Sequence, residues 1–135
     1  MPPDGTSAAL SKSMNSDNML TLATCSIDMR FASKDIDQAV RVLLSVRWNI
    51  QGKRGCRDCR VGMDADDAGM VHYVEEWDSA EAFHQHLQSE EFRRVLIALD
   101  LCCEEPRIVV GNLSGQIGMA YLRDLREKNA KIRID

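Results

Sequence analysis

Segments with alternating hydrophobic and polar residues, or with many β-branched and aromatic residues, predict four β-strands along the chain. The predicted strands are residues 19–30, 56–63, 70–77 and 107–113. The third of them, MVHYVEEW, is the clearest because it is rich in β-branched and aromatic side chains. Gly62, near the end of the second strand, suggests a β-bulge. The acidic sequence DADDAG at residues 64–69 predicts a turn that joins the second and third strands into a hairpin.

Apolar residues three and four positions apart predict helices between the strands. A first helix is expected from about residue 34 to residue 50, with Ser33 as its N-cap. Asp78 and Glu81 have the spacing of a capping box and predict the start of a second, short helix. Ser89 predicts the start of another helical segment. The apolar face of that segment consists of Phe92, Val95, Leu96 and Leu99.

The predicted order of elements, β-α-β-β-α-β, is that of the split βαβ fold. We therefore expect a ferredoxin-like α+β domain, in which a four-stranded antiparallel sheet carries helices on one face. The domain is expected at residues 19–116, after a disordered leader at residues 1–18 and before a helical tail at residues 117–135. The second sheet face would be uncovered. An uncovered apolar face usually packs against a symmetric partner, so we expect a homodimer through this face.

Composition and charge narrow the class of protein. The chain has 135 residues, of which 44% are hydrophobic, and this is enough for one core. The net charge of -4, without a long block of like charge, argues against nucleic-acid or anionic-membrane partners. No apolar run has the length of a membrane span, and no secretory signal pattern is present at the N-terminus. Five cysteines, an odd number, then favour reduced thiols and a cytoplasmic location.

Three sequence patterns resemble metal sites, and each has a simpler interpretation. Cys56 and Cys59 form a C-x-x-C pattern, but they lie on a predicted strand, where residues three apart face opposite sides. Cys102 and Cys103 are adjacent, and neighbouring cysteines rarely bind one ion together. Residues 64–75 have the Asp and Glu spacing of a calcium-binding loop, but alanine stands at the fifth position. We therefore predict no metal site.

Short motifs in a fixed order connect the chain to a known family. Residues 55–56 read Gly-Cys before the second predicted strand, and residues 74–77 read Val-Glu-Glu-Trp at the end of the third. Residues 86–87 read His-Leu in the helical region, and Phe92 follows. With this order of motifs the chain resembles the antibiotic biosynthesis monooxygenase family. The resemblance extends over residues 19–113.

The resemblance implies a dimeric α+β barrel built from two such sheets, with a pocket between sheet and helices in each subunit. Well-understood members oxidise aromatic polyketides or quinols with molecular oxygen and use no metal or flavin. The resemblance therefore implies a monooxygenase that binds a small aromatic molecule and needs no cofactor. A separate branch degrades haem and needs an asparagine on the first strand. The first predicted strand, residues 19–30, contains no asparagine, so haem degradation is not expected.

An oxygenase of this kind needs an aromatic pocket, a base and hydrogen-bond donors, and the chain offers candidates for each. His86 or His72 would be the catalytic base, because an imidazole titrates near neutral pH. Trp77 would form the pocket wall, and Tyr73 or Arg60 would donate hydrogen bonds to the substrate anion. His72 and Tyr73 are neighbours on a strand, so they point to opposite faces of the sheet.

Two of these candidates also have a structural interpretation. Trp77 would cover the contact between helix and sheet, and His86 would be a partly buried histidine bonded to a nearby carbonyl. For the whole protein, the alternative is a non-catalytic dimeric module of the same fold that binds a small ligand or only assembles. The low aromatic content, 5%, fits a pocket that is not built for large ring systems. A third hypothesis is an activity on small signalling metabolites or aldehydes.

Overall fold

The computed structural model describes residues 19–116 and 119–134, so the predicted leader lies outside the described residues. The strands are β1 (Met19–Arg30), β2 (Cys56–Met63), β3 (Met70–Trp77) and β4 (Arg107–Gln116). The helices are α1 (Ile36–Gln51), α2 (Ala80–Leu87), α3 (Glu90–Asp100) and α4 (Met119–Ile134). Leu22–Asn112 forms one compact unit, and the other described residues belong to a second unit. None of the helices in the described ranges is long and apolar enough to cross a membrane.

The four strands form one sheet in the order β2-β3-β1-β4. β3 lies between β1 and β2 and pairs antiparallel with both. This strand order, with helices between β1 and β2 and between β3 and β4, is the ferredoxin-like arrangement. The predicted α+β fold is therefore confirmed. The bounds of β1, β2 and β3 are those predicted, while β4 continues to Gln116 instead of ending at residue 113.

Alternation along β3 separates the two faces of the sheet. The side chains that are buried toward the helices are Val71, Tyr73, Glu75 and Trp77. The side chains on the other face, which are partly exposed, are His72, Val74 and Glu76. Cys25 of β1 and Cys59 of β2 both pair with Glu75 and are buried on the helix side. The core on that side is completed by apolar residues of α1, α2 and α3, which include Leu43, Val46, Ile50, Phe83, Val95 and Ala98.

Two helices begin later than the sequence predicts. α1 has Asp35 as its N-cap rather than Ser33. α2 has Ser79 as its N-cap, and the Ser79 hydroxyl accepts a hydrogen bond from the Ala82 N–H at 3.1 Å. The predicted capping box with Asp78 as N-cap is therefore wrong. Asp78 is one residue too early, because Ser79 has the extended backbone that precedes the first helical turn.

A close contact at Gly55 fixes the start of α2 against the start of β2. The Gly55 carbonyl accepts a hydrogen bond of 2.7 Å from the Asp78 N–H. Gly55 has a φ of 89°, and a Cβ atom at this position would lie 2.8 Å from the Ala82 Cβ. Only glycine combines this backbone conformation with this approach. The Gly-Cys motif therefore positions the helix that carries His86.

The bulge in β2 lies at the opposite end of the strand from the prediction. The register shifts between Cys56 and Asp58, so Arg57 is the extra residue, and Gly62 stays in register. Because of this shift, Cys56 and Cys59 both pair with positions of β3 that face the helices. The prediction that the two cysteines face opposite sides is therefore wrong. All five cysteines are free thiols, and no cluster of three or more potential metal ligands occurs within the described ranges.

The sheet face away from the helices is polar over β1, β2 and β3, not apolar as expected. Asp28 and His72 form a 2.8 Å ion pair across β1 and β3, and Arg60 lies 3.8 Å from Glu76 across β2 and β3. Within the sheet, most of the exposed large apolar side chains lie instead on the edge strand β4. They include Ile108, Val109 and Val110, which are 50%, 49% and 56% exposed.

Candidate active site

A buried carboxylate lies between the sheet and the helices. Glu75, in the second half of β3, is 0% exposed. Tyr73 and Trp77 stand two positions before and after it, so all three side chains point to the helix side. The Tyr73 hydroxyl donates to Glu75 Oε2, and the Trp77 indole N–H donates to Oε1 at 2.9 Å. The strand alone therefore supplies two of the donors that the carboxylate needs.

His86 of α2 brings a third hydrogen bond to this carboxylate. Its Nε2 lies 2.9 Å from Glu75 Oε2. The imidazole stacks on Trp77 with ring centroids 4.6 Å apart, and the Phe92 ring meets it edge-on at 5.4 Å. The His86 side chain is 1% exposed. A buried carboxylate without partners would be costly, and here three donors from two elements satisfy it.

The second ring nitrogen of His86 faces two donors. The Lys53 ammonium lies 3.4 Å from Nδ1, and the Ser89 hydroxyl lies 3.3 Å from it. An ammonium group can only donate, so Nδ1 accepts and Nε2 carries the proton that Glu75 binds. Ser89 is the predicted N-cap of α3 and accepts from the Phe92 N–H at 3.2 Å, which leaves its own hydroxyl hydrogen free to bond Nδ1. The neutral imidazole thus has one nitrogen on a carboxylate and one available as a base.

Lys53 connects this buried pair to the surface. Its ammonium forms a 2.8 Å ion pair with Glu91, and both side chains are about a quarter exposed, at 27% and 28%. The hydrogen bond from Lys53 lowers the pKa of Glu91 below its usual range. The Nδ1 side of His86 is therefore the side at which the network approaches solvent.

A thiol extends the network at its inner end. The Cys59 thiol lies 3.5 Å from the Tyr73 hydroxyl, to which it donates. Burial raises the pKa of Cys59 to about 12, and burial likewise raises the pKa of Tyr73. Cys25, on the other side of Glu75, also has its pKa raised to about 12 by burial. These thiols stay protonated at neutral pH, so they are not nucleophiles.

The structure brings three of the five predicted site residues together. His86, Trp77 and Tyr73 surround the Glu75 carboxylate. His72 lies on the opposite sheet face, where its two ring nitrogens contact carboxylates. Arg60 lies on that same opposite face and contacts the side chains of Asp58 and Glu76. His72 and Arg60 therefore share no environment with His86.

Glu75 and Lys53, two of the residues that bond His86, were not among the predicted site residues. Glu75 lies two positions from both Tyr73 and Trp77 on the strand, and this spacing places it on the same face as the two aromatic residues. A charged residue on such a face is rare unless it is paired, and this rarity marks it as a candidate. Lys53 lies in the turn between α1 and β2, and no pattern in the sequence connects it to His86, 33 positions later.

Comparison with known proteins places this geometry in context. Residues 27–96 match the family described as antibiotic biosynthesis monooxygenase. No match was found among curated proteins. Solved structures share the fold, and a candidate antibiotic biosynthesis monooxygenase from Deinococcus radiodurans is 17% identical, with a TM-score of 0.65 over 72% of this chain and 97% of that chain.

Two further solved structures have the same arrangement. One, described as an antibiotic biosynthesis monooxygenase, is 18% identical, with a TM-score of 0.60 over 66% of this chain and 95% of that chain. Another, a conserved protein from Methanosarcina mazei, is 16% identical, with a TM-score of 0.61 over 68% of this chain and 91% of that chain. At these identities the likeness concerns the fold.

The family match spans more than half of the chain and includes β3, α2 and most of α3. It therefore contains Glu75, Trp77 and His86, the centre of the buried network. The protein belongs to the antibiotic biosynthesis monooxygenase family.

Proposed function

We propose that this protein is a cofactor-independent monooxygenase that oxidises a small phenol or quinol with molecular oxygen. The observation that carries the proposal is the geometry of His86. One ring nitrogen is held 2.9 Å from the buried Glu75 carboxylate, and the other faces the partly exposed Lys53. A histidine oriented by a carboxylate, with its second nitrogen directed toward the route to solvent, is suited to act as a general base.

In the first step, His86 would remove the proton of the substrate hydroxyl. The substrate reaches Nδ1 from the side of Lys53 and Ser89 and moves the ammonium group away from that nitrogen. Nδ1 takes the proton, and the Glu75 carboxylate stabilises the imidazolium that forms. The displaced Lys53 ammonium pairs with the phenolate oxygen and stabilises its charge.

The second step needs only the substrate anion, oxygen and the proton held by His86. The phenolate transfers one electron to O2, and the aryloxyl radical and superoxide then combine to a peroxide on the ring. The His86 imidazolium returns its proton to the peroxide, and loss of water, which includes the hydrogen of the same ring carbon, leaves a carbonyl group. One oxygen atom enters the product and the other leaves as water, and the substrate supplies all four electrons that the two oxygen atoms accept. The role of the protein is to hold the substrate at His86 Nδ1, beside Lys53 and Ser89, and to exclude bulk water.

Oxygen consumption tests this proposal. A panel of hydroquinones and polyhydroxylated aromatics is offered in metal-free buffer, and uptake is measured with an oxygen electrode. We expect at least one substrate to be oxidised, with a rate that falls by about 10²- to 10⁴-fold in His86→Gln. His84→Gln is the matched control, because His84 is on the same helix and exposed. Equal rates in wild type and His86→Gln would contradict the role of His86, and no uptake with any substrate would contradict the activity.

A non-catalytic module of the same fold is the second candidate, and one observation favours it. Tyr73, Glu75, Trp77 and His86 are each at most 2% exposed and are bonded to one another, as in a closed structural core. If this alternative holds, His86→Gln lowers the free energy of unfolding while oxygen uptake stays at the buffer rate for every substrate. Binding of the same panel, measured by calorimetry, then separates a ligand-binding module from one that only assembles.

The proposal includes a homodimer. Its support is the apolar surface of β4, where Ile108, Val109 and Val110 are each about half exposed on an edge strand. Light scattering coupled to size-exclusion chromatography is expected to give twice the mass of one chain. Val109→Lys is expected to shift the population toward monomer, because it places a charge in the apolar contact. A monomeric wild type at micromolar concentration would contradict the dimer.

A further inference from the structure

A second histidine occupies the opposite face of the sheet, between two carboxylates. His72 lies in β3 and projects away from the helices. Its Nδ1 is 2.8 Å from Asp28 Oδ1, and its Nε2 is 2.8 Å from Asp64 Oδ2. Asp28 belongs to β1, whereas Asp64 is the first residue after β2 and begins the turn to β3. The single imidazole therefore connects a strand to a turn that is 36 positions away from it in sequence, between residues 28 and 64.

Few other charged side chains in the described part of the chain lie near His72, Asp28 and Asp64, and those that do form ion pairs of their own. On the β4 side, Arg107 Nη1 lies 3.8 Å from the second oxygen of Asp28. In the turn, Asp67 is engaged by Arg30 at 2.5 Å, and Arg30 also lies 3.4 Å from Glu104. No other charged side chain of the described residues contacts the imidazole or its two carboxylates. The charge state of His72 is therefore set mainly by Asp28 and Asp64.

The number of hydrogen-bond donors on the ring requires a protonated, charged imidazole in this geometry. A neutral imidazole has one N–H donor and one lone pair, so it can donate to only one of two carboxylates. The second carboxylate would then face a lone pair at 2.8 Å, and that contact is repulsive. The hydrogen bonds to Asp64 and then to Asp28 raise the pKa of His72 above its usual value, and the bond from His72 lowers the pKa of Asp64.

We propose that His72 is a proton-dependent lock that holds Asp64, the first residue of the β2–β3 turn at residues 64–69, against β1. The protonated imidazole bonds both carboxylates and closes the lock. Deprotonation leaves a single donor, and the bond to one carboxylate is lost. Asp28 is fixed within a paired strand, opposite His72, whereas Asp64 lies at the end of its strand, so the Asp64 end of the turn is the part that is released. The other end of the turn stays bound to the end of β1 through the Arg30–Asp67 ion pair and the bond from the Phe31 N–H to the Gly69 carbonyl. This inference does not depend on the proposed oxygenase activity, because His72 and His86 lie on different faces.

The amides of the turn report on the lock directly. The Asp66 N–H donates to Asp64 Oδ1 at 2.9 Å, and the Asp64 N–H donates to the Met70 carbonyl at 3.0 Å. Release of the Asp64 side chain from His72 frees it to rotate, so the Asp66 amide loses its acceptor for part of the time. Hydrogen exchange at these amides, corrected for the intrinsic effect of pH, should therefore depend on the protonation of His72.

The experiment combines an imidazole titration by NMR with hydrogen exchange from about pH 6 to about pH 9. In the wild type we expect His72 to titrate above the ordinary value of about 6.5, and the protection factors of the turn amides to fall severalfold across that titration. His72→Gln should remove the pH dependence of protection, whereas the exposed control His84→Gln should keep it. Asp64→Asn should move the titration of His72 to lower pH and weaken protection at all pH values.

Two results would overturn the proposal. One is a His72 titration at or below the ordinary histidine value in the full-length wild type. The other is turn protection that follows the same pH profile in His72→Gln as in the wild type. If His72→Gln does not fold, the single variants Asp28→Asn and Asp64→Asn give the same decision, since each removes one partner and should lower the pH at which His72 titrates.

Discussion

The two faces of the sheet carry the same kind of pair, a histidine and a carboxylate, in opposite surroundings. On the helix side, the His86 side chain is 1% exposed and bonds one carboxylate, Glu75, which is itself 0% exposed. On the other side, the His72 side chain is 40% exposed and bonds two carboxylates, Asp28 and Asp64. Burial thus makes the first pair a unit that cannot be opened without leaving an unpaired group, while solvent leaves the second pair free to exchange protons.

The two pairs differ because water can replace a lost hydrogen-bond partner on the open face but not in the core. A group that loses its partner on the open face is solvated again, so exposed ion pairs contribute little to stability. A group that loses its partner in the core keeps its full desolvation penalty. The consequence is that Glu75 and His86 fix a geometry, while His72 responds to the pH of the medium. Substitutions on the two faces can therefore test the comparison in matched pairs.

The largest effect is expected for Glu75→Ala. This change removes the acceptor of Tyr73, Trp77 and His86 at once and should lower the free energy of unfolding by about 3–5 kcal/mol. Glu76→Ala is the matched control on the open face, where Glu76 contacts Arg60 at 3.8 Å, and it should cost no more than about 1 kcal/mol. Urea unfolding measures both. Similar losses for the two variants would show that burial does not separate the two faces.

Tyr73→Phe should have an intermediate effect. It keeps the ring in the core but removes the hydroxyl that donates to Glu75 and accepts from Cys59. The carboxylate retains two donors, so we expect a loss of about 1–3 kcal/mol in the same urea experiment. Tyr121→Phe, at a tyrosine of α4 that is 38% exposed, is the control and should change stability by less than about 0.5 kcal/mol. An unchanged stability of Tyr73→Phe would mean that this hydroxyl does not satisfy the buried carboxylate.

Much of this fold could be predicted from local pattern alone. The strand at 70–77 is rich in β-branched and aromatic residues, so its bounds could be predicted, but which of its two faces packs against the helices could not. The bulge at Arg57 could not be predicted, because no glycine or proline marks it, and the sequence contained a more conventional signal at Gly62. That single extra residue reversed the predicted side of Cys56 relative to Cys59.

Several residues of the candidate site could be predicted from the sequence, but the hydrogen bonds that join them could not. Tyr73, Trp77 and His86 were predicted from chemistry and resemblance, but the carboxylate that joins them belongs to Glu75. A glutamate in a strand is ordinarily assumed to face solvent, and only its shared alternation with two aromatic residues argues otherwise. The partners of His72, Asp28 and Asp64, lie 44 and 8 positions away in sequence, and only the pairing of the strands brings them together.

The smallest effect, and the one that most directly separates the two histidines, is the pH dependence of His72→Gln. The raised pKa of His72 means that its contribution to stability is complete below the ordinary histidine value of about 6.5 and is lost as pH rises through the raised pKa. The lowered pKa of Asp64 has the opposite sign, so its contribution is lost as pH falls through that lowered value.

The difference in urea stability between wild type and His72→Gln should therefore be greatest in mildly acidic solution and should vanish toward alkaline pH. It should not exceed about 1 kcal/mol, because the pair is exposed. His84→Gln, measured over the same series, should show no such profile, and a difference for His72→Gln that grows with pH would reverse the assignment of its charge.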